Sequence, residues 1–415
     1  MCGRFFLGVI DMKKFLLAVI LMLSLSSFAC AEPARNLATS VDEFCWKYFA
    51  ILDRNENIFY SPYGINAALS ILANGARGDT QKEILQALEA DNVQALNEGH
   101  KNFSELLTKN YGGDNFFMES NLLLIDKTIF GRGLDKNFKS VATDVYKSDV
   151  QMADFSGNLD GEKEKISHWV SNKTAGFIPD YKPIVKADAI TDLLNVVYFK
   201  GKWSMPFEAR GTRDMEFKNK NGSTATVKMM GKVFEDNLKY FANDKFCAIE
   251  LPYSAGAAMC LILPVDKNSL NVAELWNEES PSTRADFLKG LKKSSVFNGE
   301  VIVSLPKFEL DIENNLVENL KAMGLQKSFS ADAEFFNIIN NMQLKIDDAK
   351  HRAKVKVDEN GTEAAAVTEV EINATAVFNP QPPPRVYFTA DRPFLFVIRD
   401  VESDVTLFAG VVNHL

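Results

Sequence analysis

The residues best equipped to make or break bonds in this 415-residue chain are four histidines, at positions 100, 168, 351 and 414, and the cysteines at 45, 247 and 260. The histidines are scattered without the spacing of a metal site. No His-Glu-x-x-His, Gly-x-Ser-x-Gly, Gly-rich phosphate loop or Cys-x-x-Cys occurs. No nucleophile can be paired with a base, so a hydrolase is the weakest reading, and the sequence implies neither a metal nor a cofactor. What remains is a segment suited to being acted upon, residues 358–385. From Thr362 the even positions are Thr362, Ala364, Ala366, Thr368, Val370 and Ile372, small or apolar, while the odd ones include Glu363, Glu369, Glu371 and Asn373. This is the period-two pattern of a half-buried strand, with its carboxylates on one face. Pro380, Pro382, Pro383 and Pro384 follow, and their missing N–H groups deny a sheet its ladder bonds. The segment reads as a strand held in reserve.

A second strand lies directly upstream, where Ala353, Val355 and Val357 alternate with Lys354 and Lys356. If it already sits in a sheet, the segment after Gly361 can fold back beside it. Helical patterns dominate the first half, at 41–52, 63–76 behind Ser61-Pro62, and 80–88 capped by Asp79 or Thr80. Strand patterns dominate the second half, at 193–199, 300–306 and two hairpins, 248–251 with 258–263 and 394–399 with 406–412. There is no Gly/Ser/Pro linker between Ser40 and Asn340 and no solenoid repeat, so one domain spanning 32–415 is expected.

Residues 1–31 read as a secretory signal peptide: Met12-Lys13-Lys14 is basic, 15–28 is apolar, and Ala29-Cys30-Ala31 surrounds a cleavage point near Ala31. Met12 is the expected translation start. A secreted or periplasmic protein follows, with lipidation through Cys30 as the weaker alternative. No later run reaches the ~20 apolar residues of a membrane span. A net charge of −9 and a pI near 5.2 give no footprint for nucleic acid or a heparin-like polyanion. Of the five cysteines, Cys2 and Cys30 fall in the expected leader, and the three that remain exclude a disulfide scaffold. If Tyr253 faces Ala258, Cys260 opposes Leu251, too far along the hairpin from Cys247 to bridge. Arg77-Gly78-Asp79 looks like an adhesion tripeptide, but reads as a turn with a helix cap. Asn102, Asn172, Asn221, Asn360 and Asn373 head glycosylation sequons, of which 360 and 373 are expected idle unless the host does not glycosylate at all.

Several segments together resemble the serpin family over essentially all of 41–415. They are Asn57-Ile58-Phe59-Tyr60-Ser61-Pro62 with the helix to Gly78-Asp79-Thr80, Asn195-Val196-Val197-Tyr198-Phe199-Lys200-Gly201-Lys202-Trp203, and Leu305-Pro306-Lys307-Phe308. Asp391-Arg392-Pro393-Phe394-Leu395-Phe396 and Phe408-Ala409-Gly410 complete the order, and Glu359-Asn360-Gly361-Thr362-Glu363-Ala364-Ala365-Ala366 resembles the hinge of inhibitory members.

The resemblance implies an α+β fold, with helices packed around a large five-stranded mixed sheet, two smaller sheets, and an exposed reactive-centre loop at about 359–384. It also implies a metastable state that gains a sixth strand when the loop is cut, by the strand addition and strain release for which serpins are a stock example. A protease held as an acyl-enzyme would be carried on the order of 45 Å at ~3.3 Å per residue. Thr362, Ala364 and Ala366 would enter the sheet first, and a bulky or charged residue there would leave a substrate rather than an inhibitor. By resemblance, Ser61, Asn195 and His351 form a hydrogen-bonded cluster beneath the sheet, with Gly64 replacing a serine hydroxyl. Trp203 sits near the top, and Lys307 pairs with Glu359. The family interval of sixteen residues from Glu359 places the scissile bond between Thr375 and Ala376, with Val377, Phe378 and Asn379 as alternatives. The expected partner is an elastase-like, subtilisin-like or chymotrypsin-like serine protease, with a cysteine protease as an alternative, inhibited by a monomer. A non-inhibitory binding or storage protein is the other reading.

Overall fold

A computed structural model describes residues 36–112, 116–272, 294–339, 342–362 and 383–415. A helix α1 over 36–51 precedes β1 (Ile58–Tyr60), α2 (Pro62–Gly75), α3 (Gly78–Ala87), α4 (Val93–Asn110), β2 (Phe116–Asp126), β3 (Asp149–Ala153) and α5 (Leu159–Lys173). Strands follow: β4 (Thr191–Lys202), β5 (Arg213–Lys218), β6 (Thr224–Glu235), β7 (Lys239–Ala242), β8 (Phe246–Pro252), β9 (Ala257–Pro264), β10 (Glu300–Pro306) and β11 (Phe308–Asn315). After α6 (Leu316–Ala322) come β12 (Asp348–Asp358), β13 (Gly361–Thr362), β14 (Arg385–Thr389), β15 (Phe394–Asp400) and β16 (Thr406–Val412).

The main sheet runs β11-β12-β13-β4-β2-β3. It has the five long strands expected and one difference: a sixth, only two residues long, has already begun between β12 and β4. The other sheets are β1-β16-β15-β9-β8-β7, which also has six strands, and β14-β10-β6-β5.

The apolar run of β4, broken only by Asn195 between Leu193 and Phe199, follows from burial on both faces. Leu194 and Val196 pack with Leu122 and Leu124 against Ile166 and Val170 of α5. Val197 and Phe199 face a second core containing Phe59, Phe396 and Phe408, in which Phe59 stacks on Phe408 at 5.2 Å. Helix α2 starts where Ser61 caps it by accepting the Gly64 N–H at 3.0 Å, with Pro62 in the first turn. Its buried Ile65, Leu69 and Leu72 lie in a further core together with Leu193 of β4.

Two local expectations need correction. Neither Asp79 nor Thr80 caps α3: the N-cap is Arg77, without a side-chain bond, and the first N–H groups donate to the distant Glu334 carboxylate, at 2.9 Å from Asp79. Cys260 opposes Glu250 rather than Leu251, because the hairpin closes one residue earlier than expected: Tyr253 donates its N–H to the Ala257 carbonyl at 2.9 Å, not to Ala258, which leaves a three-residue turn and moves the register by one. Cys247 and Cys260 are free thiols all the same. Among the described residues no helix is long and apolar enough to cross a membrane, and no acidic, His or Cys cluster suits a metal.

Candidate functional site: the hinge and the seam of the main sheet

β12 and β4 pair in parallel from Asp348↔Asp192 to Lys354↔Tyr198. Above that point they diverge. β13 fills the gap antiparallel to both, with Thr362 opposite Val357 on one side and Gly201 on the other. Gly361 is required there, since its φ of 151° suits glycine and an added Cβ would fall 2.0 Å from the Gly201 carbonyl oxygen. Thr362 is fully buried. Its hydroxyl shares a 2.7 Å hydrogen bond with that of Tyr253, whose ring stacks on Trp203 at 4.5 Å.

The turn leading into β13 is tied down by several elements. Trp203 donates its backbone N–H to the Asn360 carbonyl at 2.9 Å and its indole Nε1–H to the Asp358 carbonyl at 3.0 Å. Phe207 donates its N–H to the Glu359 carbonyl at 2.8 Å. The Glu359 carboxylate takes Lys307 Nζ at 2.7 Å and Thr212 Oγ1 at 2.8 Å. Burial pushes the Glu359 pKa up, but Lys307, Thr212 and a backbone N–H outweigh it and hold the carboxyl below its usual value.

Lower down, the sheet is closed by a buried polar chain. Ser61 donates its N–H to His351 Nε2 at 2.9 Å, so the imidazole is neutral with its proton on Nδ1, which donates to Asn195 Oδ1 at 2.6 Å. That second bond crosses the β12–β4 seam, where His351 and Asn195 are register partners. The Asn195 amide then donates to Asn121 Oδ1 and Glu119 Oε1, both at 2.8 Å, on the neighbouring strand β2. Ser61 Oγ donates to the Leu407 carbonyl at 2.6 Å and so joins the chain to β16. Gly64 brings no hydroxyl to the cluster, and a Cβ there would lie 2.5 Å from Val197 Cγ2 and 2.6 Å from Asn195 Oδ1. Only glycine lets α2 sit this close to the seam.

Ser61, Asn195 and His351 therefore meet at one place, and Trp203, Lys307, Glu359, Gly361 and Thr362 at another, further up the same seam. Glu363, Ala364, Ala365, Ala366, Thr375, Ala376, Val377, Phe378 and Asn379 lie outside the described residues, as do the signal peptide and Cys30. Sequence reasoning did not find Glu119, Asn121, Tyr253 or Thr212. Glu119 and Asn121 carried a usable signal, being two polar residues at a spacing of two, hence on one face, in an otherwise apolar strand.

These groups give stability a defined pH dependence. Burial pulls the pKa values of His351 and His100 down to about 3. Their contribution is present above the unfolded value near 6.5 and is lost as pH falls toward 3. Burial pushes Glu119 up to about 8 against the amides of Asn121 and Asn195, so its contribution is present below about 4.5 and is lost as pH rises through 8. From pH 6.5 to 8 the Glu119 slope stands apart from those of the histidines. Denaturant unfolding should show stability falling there by up to about 1.4 kcal/mol per pH unit, and Glu119→Gln should flatten that slope. An unchanged slope would remove Glu119 as its source.

The chain matches the model of a family described as "Serpin (serine protease inhibitor)" over residues 39–415. It is 31% identical over 368 residues to Ipis-1 of Ixodes persulcatus, covering 88% of this chain and 93% of that protein. The native structure of the thermophilic serpin tengpin superposes with a TM-score of 0.79 at 25% identity, covering 91% of this chain and 93% of the other. Human thyroxine-binding globulin complexed with thyroxine gives 0.78 at 26% identity, covering 92% and 99%.

Proposed function

The chain belongs to the serpin family, and from that premise we propose that it is an inhibitory member, a suicide substrate of serine proteases. The observation that carries this reading is the seated hinge: Gly361 and Thr362 already occupy the gap between β12 and β4, which are hydrogen-bonded to each other only below it. Insertion then needs propagation of an existing strand, not nucleation of a new one. The inward positions that follow, Ala364 and Ala366, are small.

A protease attacks a bond within 375–379, its nucleophile forms an ester with the carbonyl of the residue before the cut, and the amine of the downstream segment is released with a proton while that segment stays seated through β14–β16. The freed segment zips down the seam, breaks the His351–Asn195 bond, and carries the esterified protease away before water completes hydrolysis. Thr375–Ala376 is the favoured bond, which suits elastase-like or subtilisin-like enzymes; Phe378 would suit a chymotrypsin-like one, and a cysteine protease would form the equivalent thioester. The apolar segment at 15–28 supports export to the secreted or periplasmic space, and a monomer is sufficient for the mechanism.

Thyroxine-binding globulin shares this fold, so a non-inhibitory binding protein is the competing reading, and the small hinge residues argue against it. Mixing the chain with elastase and with subtilisin should give a complex that survives boiling in denaturant. Clean loop cleavage without such a complex, for every protease that cuts the loop, would overturn the proposal.

A further inference from the structure

We propose that the cleft of about 230 Å³ between α4 and β2 is a binding site for a small primary ammonium ion with an apolar body. Its lining carries three acceptor atoms, on His100, Glu119 and Tyr63. His100 Nε2 donates to Asn66 Oδ1 at 2.9 Å, which leaves Nδ1 as a bare acceptor, and that atom has no partner although His100 is 1% exposed. Both amide bonds to Glu119 land on Oε1, so Oε2 has no partner among the described residues. The Tyr63 hydroxyl, held beside Glu119, has none either. A buried acceptor left unpaired costs on the order of 1–3 kcal/mol. Three acceptors, one of them a carboxylate oxygen, match the three N–H donors and the charge of an ammonium.

The walls suit the rest of such a ligand. Tyr63 lies 5.8 Å from Phe117 and 5.3 Å from His100, and His100 lies 5.0 Å from Tyr146, with Leu107 also lining the cleft. Aromatic faces attract a cation as well as its apolar body. The volume falls just below the ~300–1,000 Å³ of drug-sized sites, which points to a molecule of phenylalkylamine size. The other titratable groups on the lining are Tyr111, Tyr146 and Lys147. Tyr146 donates to Asn97 Oδ1 and Lys147 is turned onto the Asp144 carbonyl, at 2.7 Å each, while Tyr111 donates to Asp400. None of them neutralises Glu119; the one cation whose charge reaches it, Lys173, lowers its pKa without offsetting burial and is itself paired with Asp149 at 3.1 Å. Without a cation its carboxyl stays protonated near neutral pH, so ammonium binding should release a proton and tighten as pH rises from 6 to 8.

Glu119 is one hydrogen bond from Asn195, so an occupant would bias the seam. That consequence rests on the inhibitory reading, whereas binding itself does not, and the test reads binding alone. Calorimetry of the intact chain with 2-phenylethylammonium chloride should show saturable one-to-one binding, at least tenfold tighter than with 2-phenylethanol. Glu119→Gln should weaken it at least tenfold, and Ser104→Trp, which fills the cleft without touching the polar chain, should abolish it. Absence of saturable binding, equal affinity for the alcohol, or an unchanged affinity in either variant that still shows a cooperative unfolding transition would each overturn the proposal.

Discussion

Thr362→Arg is expected to turn the chain from a trap into a substrate: the protease still cuts the loop, but the denaturant-resistant complex disappears. Thr362 has no exposed surface and sits between two strands with its hydroxyl on Tyr253. The carboxylate that anchors this turn, Glu359, is already engaged by Lys307 and Thr212. Seating an unpaired guanidinium there costs several kcal/mol. Each ~1.4 kcal/mol added to the insertion barrier slows it tenfold, so about 3 kcal/mol slows insertion roughly a hundredfold. Deacylation takes place on the protease and is untouched, so hydrolysis wins the race. Thr362→Val is the control. It keeps the shape and loses only the bond to Tyr253, at about 1–3 kcal/mol for the hydroxyl left behind, and it should still form complex. Titrating protease against each variant on a denaturing gel reads the partition, and a full complex yield from Thr362→Arg would contradict the hinge assignment.

The second large effect is thermal. Cutting the loop frees a segment that β13 has already started, and full insertion gives β12 and β4 a continuous partner on both sides. Some ten further residues would gain ladder bonds at a net ~1 kcal/mol each, on the order of 10 kcal/mol before ordering entropy. A domain of this size shifts by about 1.2 °C per kcal/mol, so the unfolding midpoint should rise, by up to on the order of 10 °C once ordering entropy is set against the new bonds. Circular-dichroism melts of the intact chain and of chain nicked within 375–379 measure it. An unchanged midpoint would favour the binding or storage reading.

Much of this fold was legible because local pattern and burial agree. The alternation of 353–357 and the apolar run of 193–199 both mark strands, each longer in the structure, Asp348–Asp358 and Thr191–Lys202. The motif positions Ser61, Asn195 and His351 meet in space although His351 lies 290 residues from Ser61, and spacing alone could not have paired them; the resemblance did. Where neither pattern nor motif spoke, the sequence was silent. The carboxylate serving the start of α3 comes from Glu334, 255 positions away from Asp79. The partner of the Thr362 hydroxyl is Tyr253, 109 positions away. The closeness of Gly64 to Asn195 and Val197 is a matter of helix docking on the sheet, which the missing serine could not signal. The one-residue error at Cys260 came from the turn length: Tyr253 pairs with Ala257 rather than Ala258, and nothing in the composition of 254–257 distinguishes a three-residue turn from a four-residue one.

The central claim is that a protease is caught as an ester on a loop that then becomes the sixth strand, and the intact mass of the denatured complex tests it most directly. The account predicts one species equal to the protease plus this chain, less a C-terminal peptide beginning at Ala376 or within the next few residues. Finding only free protease, and a nicked chain with both fragments recovered, would contradict it.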